Sequence, residues 1–415
     1  MSVGGPQAEA FGRSVLGPVF GEFALRLHLL LLGLEQPAQT RLLFCARGGM
    51  RLRLIYEAFL EAAELASPVG FGDLMVSRLI AARTALERGA AEAYEELDRE
   101  FKGEGLGRVV RALAQRDDLA VADPEAPYTP QALHQLFTGS TETARALRAE
   151  VAEQNRLFGD HLADCAGPAR RILLCDSGLY GSTVRLMRVG RPDYDWSCAL
   201  FARSNYKGFS ESHFPATVGL CVESNGYAPT ERRTGVLRYW QLIESCLEPA
   251  LPSVVKFTQV DGEARANLVT PGWERHLAGQ PGELFAGVMA YLQALPRGRA
   301  GEQIYADAPA AWRRLHDAIV WPGLSERQTL SIGRRSRDFG RHETVADVAA
   351  GGVRASLSDI KRSLWREGAV VDHFPLSRSM WLGGLHAAHL GRSALAFARR
   401  GAAPRVSAPA WSPGE

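Results

Sequence analysis

The feature that most constrains this chain is a pair of junctions in which a short apolar run leads into a glycine-containing loop and then into an amphipathic segment. The first lies at residues 41–50 and the second at residues 171–183. Each apolar run has the length and composition of a buried parallel strand, and each following segment has helical spacing. This order predicts an α/β fold in which free backbone N–H groups at the helix starts face the loops.

Other segments extend this pattern into a sheet with flanking helices. Three more apolar runs have the composition of strands, at residues 73–78, 196–201 and 218–222. Apolar residues at helical spacing predict helices at residues 14–35, 50–65, 181–189 and 239–247. We therefore predict a parallel sheet with helices on both faces, a Rossmann-like arrangement.

The composition along the chain predicts four regions. An α/β phosphate-binding core comprises residues 1–79 and 166–255, and a charged, mainly helical insertion at residues 80–165 interrupts it. From residue 256 to residue 403, helical segments separated by Pro- and Gly-rich loops predict a helical C-terminal region. The Ala, Pro, Ser and Gly composition of residues 404–415 predicts a disordered tail.

Charge and cysteine usage favour a cytoplasmic protein that binds neither nucleic acid nor membranes. The formal net charge of the 415 residues is +2, and no run of basic residues offers a local attraction to a polyanion. The six cysteines show no paired spacing, which predicts buried thiols in a reducing compartment. The leucine-rich stretch at residues 23–34 contains Arg26 and His28 and is short for a bilayer span, so we predict a core helix.

The first loop contains Arg47, Gly48 and Gly49 directly after the predicted strand. Ligands of open α/β sheets bind at the carboxyl ends of strands, and glycine allows backbone amides to approach an anion closely. An arginine at this point can bind a phosphate through two nitrogen atoms. A tight turn with a surface arginine is the structural alternative.

The second loop combines a carboxylate, hydroxyl groups and glycines, which are the components of a phosphate-binding loop. Asp176 follows the apolar run and is expected to order sugar hydroxyls or a Mg²⁺ ion. The other candidate binding residues of this loop are Ser177, Gly178, Tyr180, Gly181, Ser182 and Thr183. The alternative interpretation is an aspartate that caps a structural helix.

Further candidate ligand-binding residues lie after other predicted strands or on a helix. Ser77 and Arg78 end the segment at 73–78, Arg203 and Lys207 follow the segment at 196–201, and Glu244 lies on an apolar helix face. Their structural alternatives are a surface turn, a solvated loop and a carboxylate paired to an arginine.

Two other patterns have weaker chemical support. Asp193 and Asp195 have the spacing of a phosphatase nucleophile pair or of a metal-binding glycosyltransferase pair, but they precede a predicted strand instead of following one. The ten histidines form no ligand cluster along the sequence. Neither a nucleophile elbow nor a complete Walker lysine loop is present.

With these motifs established, the chain resembles the region that follows the haloacid dehalogenase-like domain in large bacterial proteins associated with polysaccharide biosynthesis. The similarity covers roughly residues 14–345. Its motifs correspond here to residues 16–18, 46–49, 55–56, 77–78, 176–182, 243–244, 287–288 and 322–340. The resemblance implies a role with sugar nucleotides or with protein partners in glycan assembly. These 415 residues include no segment similar to the phosphatase domain that normally precedes this region, so the resemblance does not imply phosphatase activity.

The chain also resembles type I phosphoribosyltransferases. Their pyrophosphate loop often reads Arg-Gly-Gly after a strand, as residues 47–49 do, and their phosphoribosyl pyrophosphate loop is similar to residues 172–183. The resemblance implies that residues 47–49 hold the leaving diphosphate, that Asp176 orders the sugar or Mg²⁺, and that the following residues bind the 5′-phosphate. This chain departs from the family in three respects: the loop has only one acid, the loop is one residue shorter, and the helical insertion lengthens the interval between the two loops.

Three functions follow as hypotheses. The first is a phosphoribosyltransferase-like enzyme that binds a phosphorylated sugar or nucleotide and transfers a glycosyl or phosphoribosyl group, with Asp176 and Arg47 in catalytic roles and Mg²⁺ as a possible cofactor. The second is a non-catalytic module that binds a sugar nucleotide or holds a partner protein in glycan biosynthesis. The third is a phosphoester hydrolase that uses Asp176 or Asp193.

Overall fold

The computed structural model describes residues 5–206, 208, 211–330, 332, 335–336, 344–345 and 357–402. The predicted binding residue Lys207 and the predicted tail at 404–415 lie outside these residues. The strands are β1 (Thr40–Cys45), β2 (Gly70–Leu74), β3 (Arg171–Leu179), β4 (Asp195–Arg203), β5 (Thr217–Glu223), β6 (Phe257–Val260), β7 (Glu263–Ala266), β8 (Arg335–Ser336) and β9 (Thr344–Val345).

The helices fall into three groups along the chain. The first eight are α1 (Pro6–Phe11), α2 (Gly17–Leu32), α3 (Gly48–Ala63), α4 (Arg78–Glu87), α5 (Ala91–Glu100), α6 (Leu106–Ala114), α7 (Pro130–Thr138) and α8 (Glu142–Ala166). Those of the second half of the core are α9 (Ser182–Gly190), α10 (Gly235–Arg238) and α11 (Trp240–Leu247). The C-terminal region contains α12 (Leu284–Gln293), α13 (Ala300–Val320), α14 (Leu324–Thr329), α15 (Leu357–Arg362), α16 (Arg366–His373) and α17 (Arg378–Ala402).

The core of the protein is a parallel sheet of five strands in the order β2-β1-β3-β4-β5. Phe44 of β1 lies beside Cys175 of β3, and Cys175 lies beside Ala199 of β4, whereas the register between β4 and β5 shifts between Leu200 and Ala202. The strands are rich in buried apolar residues on both faces, as expected when helices cover both faces of a parallel sheet. The predicted α/β class with a helical C-terminal region is therefore confirmed.

Alternate side chains of β1 enter two separate hydrophobic cores, because successive residues of a strand point to opposite faces. Leu42 and Phe44 pack in a core with α2, α3, α12 and α13. Leu43 and Cys45 pack in the other core, which includes residues of α4, α8 and α9. Helices from the predicted insertion thus form part of one layer on the sheet, and helices from the C-terminal region form part of the other.

The structure corrects several predicted boundaries. The second strand occupies Gly70–Leu74 instead of 73–78, and Ser77 is the N-cap of α4, where its Oγ accepts a hydrogen bond from the Ile80 N–H at 3.3 Å. Ser77 and Arg78 therefore begin a helix instead of ending a strand. The antiparallel pair β6-β7 was not predicted, because its residues are mostly exposed and lack a clear apolar alternation.

The N-terminal helical stretch Pro6–Leu32 is long and apolar enough to cross a membrane, and 72% of its most apolar window is buried inside the protein. Core helices of soluble proteins can have the same length and composition.

Candidate functional site

The two predicted loops meet at the point where the strand order reverses. From β1 the chain continues through α3 to β2 on one side, whereas β3 pairs with β1 on the other side. The loops after β1 and β3 therefore diverge from neighbouring strands and leave a crevice, which is where open α/β sheets bind ligands. A Cβ atom added at Gly48 would lie 3.6 Å from Oγ of Ser177, so the loops are in contact.

A cavity of about 770 Å³ opens at this crevice. Its walls come from the two loops, the start of α4, the turn after α5, and the α10–α11 segment. The predicted site residues that line it are Arg47, Gly48, Ser77, Arg78, Asp176, Ser177, Gly178, Tyr180, Gly181, Ser182, Thr183 and Glu244. Residues that are distant in sequence and were predicted separately therefore share one cavity.

Asp176 lies at the base of the cavity, where its carboxyl group is in an unusual electrostatic environment. Burial raises its pKa to about 7, and the negative charge of Glu244 acts in the same direction. The Ser177 N–H, which donates a hydrogen bond to Asp176 Oδ1 at 2.7 Å, and the Arg78 guanidinium act in the opposite direction. A carboxyl group with this pKa changes its charge near neutral pH, which suits proton exchange or the binding of a cation.

The structure extends β3 to Leu179, beyond the predicted 171–176, and two glycines at the end of the strand and after it adopt conformations that other residues rarely adopt. Gly178 has φ 141°, and a Cβ there would lie 2.5 Å from the Ala202 carbonyl oxygen. Gly181 has φ 76° and precedes α9, so the first amides of that helix point out of its N-terminal end beside the cavity. A helix start of this kind favours negatively charged ligand groups.

A buried histidine supports the same loop from behind. Nε2 of His213 lies 2.6 Å from the Tyr180 carbonyl oxygen. Because a carbonyl only accepts hydrogen bonds, Nε2 carries the proton and donates it. Burial lowers the pKa of His213, although this hydrogen bond acts in the opposite direction. The ring also packs edge-on against Tyr180, with centroids 4.7 Å apart, so His213 fixes the loop between Asp176 and α9.

Arg47 of the first loop already has hydrogen-bond and ion-pair partners within the protein, which the sequence did not indicate. Arg47 donates a hydrogen bond to the Leu251 carbonyl at 2.9 Å and pairs with Glu248 at 3.4 Å. Its guanidinium therefore fastens the segment after α11 to the end of β1, and it needs to release these contacts to bind an anion fully. Gly49 lies behind the cavity wall, where an added Cβ would approach the Cys175 carbonyl to 2.8 Å.

Arg203 lies outside the cavity and has structural contacts. Its Nη1 donates hydrogen bonds to the carbonyls of Phe214 and Thr217 at 2.7 and 2.6 Å, and the guanidinium also pairs with Glu223. These contacts fix the connection between β4 and β5. Arg203 was predicted to bind the ligand, but it belongs to β4 and its side chain extends toward the connection between β4 and β5.

The insertion contributes three cavity residues that the sequence analysis did not select, namely Glu100, Lys102 and Glu104. Glu100 pairs with Arg78 across the cavity wall at 2.9 Å. Lys102 is exposed, and within the described part of the chain it has no ion-pair partner. One sequence feature could have drawn attention to Lys102, since it lies beside Gly103 and the chain has only four lysines. The sequence does not show, however, which side of the helical insertion faces the cavity.

The α10–α11 segment contributes another part of the cavity wall, including Arg238, Trp240 and Gln241. None of these was selected from the sequence, because an arginine before an apolar helix is unremarkable. Asp193, in contrast, precedes β4 and therefore lies at the amino end of the sheet, away from the cavity at the carboxyl ends. The sheet separates it from Asp176.

A divalent cation in this cavity would need several oxygen ligands. Among the described residues, no group of three or more His, Cys, Asp or Glu side chains is arranged to hold a metal ion. Asp176 and Glu244 line the same cavity, and the raised pKa of Asp176 reflects burial and the charge of Glu244. Two carboxylates suit Mg²⁺ when phosphate oxygens and water complete its octahedral shell. The carboxyl groups of Asp176 and Glu244 therefore fit a magnesium ion in their chemistry only when further oxygen ligands come from outside the protein.

No known protein-family profile matches this chain, and no curated protein matches it significantly.

Proposed function

We propose that this protein is a phosphoribosyltransferase-like enzyme that binds a phosphorylated sugar or nucleotide and transfers a glycosyl or phosphoribosyl group. The observation that carries the proposal is the single cavity lined by the loops after β1 and β3, with Asp176 and the start of α9 on its surface. Its volume of about 770 Å³ lies within the range of cavities that hold small-molecule ligands and cofactors.

The chemistry of the cavity suits group transfer from a diphosphate. Departure of a diphosphate requires stabilisation of negative charge and alignment of the reactants, and it requires no nucleophilic side chain. The amides at the start of α9 bind the 5′-phosphate in this proposal, and Asp176 orders the sugar hydroxyls. Arg78 and Lys102 lie on the same cavity and stabilise the leaving group.

Magnesium is the cofactor proposed for this reaction. Asp176 and Glu244 would hold it through carboxylate oxygens, and phosphate oxygens of the ligand would complete its coordination. When bound, Mg²⁺ would neutralise part of the diphosphate charge. The cavity contains five carboxylates and four cationic side chains, so its own cations do not offset the charge of a diphosphate. A bound Mg²⁺ would supply part of the missing positive charge.

The resemblance to the region following haloacid dehalogenase-like domains extends the proposal to glycan biosynthesis, with sugar nucleotides as candidate ligands. A second candidate function in that setting is a non-catalytic module that binds the ligand or a partner protein. The contacts of Arg47 with Leu251 and Glu248 favour this alternative, because they occupy the guanidinium assigned to the diphosphate.

Thermal unfolding with ligands tests the binding step. Phosphoribosyl pyrophosphate with Mg²⁺ is expected to raise the free energy of unfolding by about 2.7 kcal/mol at a hundred times its dissociation constant. The Asp176→Asn variant is expected to lose most of this ligand-induced increase. The matched control is Asp193→Asn, which changes an aspartate at the other end of the sheet and is expected to keep it.

A second measurement separates the enzyme from the binding module. Pyrophosphate release from phosphoribosyl pyrophosphate is followed over a panel of acceptors, and its presence supports the transferase. Ligand binding without product in any mixture favours the module. If neither phosphoribosyl pyrophosphate nor a sugar nucleotide stabilises the protein, the proposed site is wrong. Phosphate release from a generic phosphoester that depends on Asp176 would instead support the hydrolase.

A further inference from the structure

The last helix of the chain, α17, presents an apolar face to solvent. Its opposite face packs on α16, where Leu382 is buried in a small hydrophobic cluster with Val370. Six exposed residues of α17 recur at intervals of three, four and seven positions, which places them on one face of the helix. They are Met380, Ala387, Leu390, Gly391, Ala394 and Leu395, and none of them is charged. A helix on the surface of a soluble protein normally has polar residues on its solvent side.

Several side chains on this face are large and open to solvent. Met380 is 69% exposed and Leu395 is 61% exposed, and Leu376, just before the helix, is fully exposed. A Cβ atom added at Gly384 or Gly391 would meet no atom within 4 Å. No described part of the protein therefore covers the face at these positions. Contiguous exposed apolar surfaces of this kind mark sites of interaction.

Positively charged residues follow one edge of the same helix. Arg378, Arg392 and Arg399 are separated by multiples of seven residues, which places their Cα atoms along one line of the helix surface. Arg378 and Arg392 have no ion-pair partner among the described residues. Residues 373–414 contain no aspartate or glutamate. This part of the chain therefore has positive charge that no neighbouring acidic residue along the sequence offsets.

An aromatic residue lies at the other edge of the apolar face. Trp321 follows α13 and is 39% exposed. Its ring centroid lies 5.0 Å from that of His386, which is one turn before Leu390 on α17. Tryptophan is enriched at membrane–water boundaries, because its ring is largely apolar and its N–H is polar. Arginines thus border the apolar face on one side, and an indole borders it on the other.

We propose that the exposed face of α17 binds the surface of a membrane that contains anionic phospholipids. The inference goes beyond the proposed function and does not depend on it. The helix lies parallel to the membrane in this arrangement, with its apolar side chains at the boundary between headgroups and acyl chains. The arginines contact headgroup phosphates through charge-assisted hydrogen bonds, and Trp321 lies at the level of the headgroups.

Charge separates this occupant from a second copy of the protein. A second α17 would bring its arginines close to those of the first, and residues 373–414 contain no acid to compensate them. An anionic lipid surface supplies the missing negative charge, which contributes about 5-fold in affinity for each arginine near it. An uncharged strip between arginines and an indole also matches the layers of a membrane surface, which favours lipid over an acidic protein groove.

The absence of membrane binding was expected from the net charge of +2. That value is a property of the whole chain, and it does not show that arginines without acidic neighbours are concentrated beside one apolar helix face. The charge of a single element decides its attraction to a membrane, because charges farther away than about 10 Å are largely screened by salt.

Co-sedimentation of the complete chain with lipid vesicles tests the inference. Vesicles of phosphatidylcholine alone are compared with vesicles in which one third of the lipid is phosphatidylglycerol. We expect the native protein to bind the anionic vesicles at least ~10-fold more tightly, and added salt should weaken this binding. Failure of the native protein to bind the anionic vesicles overturns the inference.

Leu390→Gln with Leu395→Gln removes apolar contacts and keeps every charge. We expect about a 10-fold loss of affinity for the anionic vesicles, because two leucines no longer leave water. Leu29→Gln with Leu32→Gln is the matched control, since both are exposed leucines of α2, and it should bind as the native protein does. All four residues are exposed, so both variants should fold, and unfolding curves verify this. Unchanged binding in the Leu390/Leu395 variant overturns the inference.

Arg378→Gln with Arg392→Gln removes positive charge and keeps the apolar face. We expect a loss of about 10- to 25-fold on the anionic vesicles and little change on the neutral ones. Arg111→Gln with Arg156→Gln removes two exposed arginines of the insertion and is the matched control for net charge. Equal losses in the two variants overturn the assignment to α17, because they show an effect of total charge.

Two further results separate the other occupants. Dimers of the native protein that the Leu390/Leu395 variant does not form, without vesicle binding, assign the face to a contact between two copies and overturn the inference. Asp176→Asn should bind vesicles as the native protein does, and a loss of binding in that variant would assign the lipid contact to the cavity. The ligand-induced stabilisation that tests the proposed function is measured without vesicles, so either proposal can fail while the other stands.

Discussion

At the scale of single residues, the environment of Asp176 has the clearest consequence. Asp176 lies on β3 at the cavity, where burial and the negative charge of Glu244 raise the pKa of its carboxyl group to about 7. Without a bound cation, the ionised form is therefore disfavoured in the folded protein. The raised pKa of Asp176 suits the binding of a cation, but it also lowers the stability of the protein without a ligand.

Asp176→Asn is expected to be more stable than the native protein at pH 7.5 and above. The folded-state pKa is raised above the unfolded value of 3.8, so the folded state retains a proton that the unfolded state has lost. The stability of the native protein relative to the variant should fall as pH rises from about 4 to about 7. Each pKa unit corresponds to about 1.36 kcal/mol, and partial solvent exposure reduces the total to roughly 1–3 kcal/mol.

Urea unfolding at several pH values between 4.5 and 8 measures this difference. Asp193→Asn is the control, since Asp193 is exposed and its replacement should leave the pH profile close to that of the native protein. A difference between Asp176→Asn and native protein that is flat across this pH range would contradict the assigned environment of Asp176. With saturating Mg²⁺ and phosphorylated ligand, the native protein should instead be more stable than Asp176→Asn at high pH. The reason is that these ligands bind the carboxylate of the native protein and stabilise only that form.

At the scale of elements, α5 and the turn after it connect the insertion to the cavity. Arg185 of α9 pairs with Glu95 and lies 3.8 Å from Glu96, and Arg78 pairs with Glu100 at the end of α5. These ion pairs fix α5 against the helices that begin at the cavity. The turn that follows contains Gly103, with φ 79°, and places Lys102 on the cavity surface.

Lys102→Ala is expected to weaken binding of phosphoribosyl pyrophosphate about 5- to 10-fold, because an exposed ammonium contributes about 1 kcal/mol to a charged ligand. The free energy of unfolding should change by less than about 0.5 kcal/mol, since Lys102 is exposed. Calorimetric titration and urea unfolding measure the two quantities.

The conservative variant Lys102→Arg should retain most of the affinity. Arg111→Ala on α6 is the matched control, as it removes an exposed cation of the same insertion that does not line the cavity. If both alanine variants weaken binding equally, the effect comes from long-range charge and Lys102 has no specific contact.

At the scale of the whole molecule, Arg83 joins three parts of the chain in the interior. It is fully buried on α4 and donates hydrogen bonds to the carbonyls of Leu113 at 2.7 Å and Val255 at 2.6 Å. Burial lowers its pKa to about 10, so it remains charged near neutral pH. One side chain thus satisfies backbone groups of the insertion and of the segment leading to β6.

Arg83→Met is expected to destabilise the protein by roughly 2–4 kcal/mol, because buried carbonyls lose their donors while the apolar part of the side chain is kept. Urea unfolding followed by circular dichroism measures the change. Arg156→Met on α8 replaces an exposed arginine and should change stability by less than about 0.5 kcal/mol. Comparable losses in the two variants would contradict a central role for Arg83.

The parallel sheet and the two loops could be predicted without the structure, because strand hydrophobicity and glycine placement are local properties of the chain. The sequence also located Asp176 at the cavity and most of the loop residues around it. The folded arrangement was needed to show that Arg203 fixes a connection, that Ser77 caps α4, and that Arg47 is already bonded to the segment after α11. The direction of a long polar side chain depends on which carbonyls and carboxylates the fold brings near it.

The same reason explains the residues that were missed. Lys102, Arg238 and Trp240 reach the cavity from the insertion and from α10–α11, whose faces are set by packing against α4, α9 and α13. Their own sequence contexts contain no signal for a site. Contacts between elements that are distant in sequence, such as α5 with α9 and α10 with α13, thus decided the composition of the cavity wall, because its charges and donors come from elements that no local pattern connects.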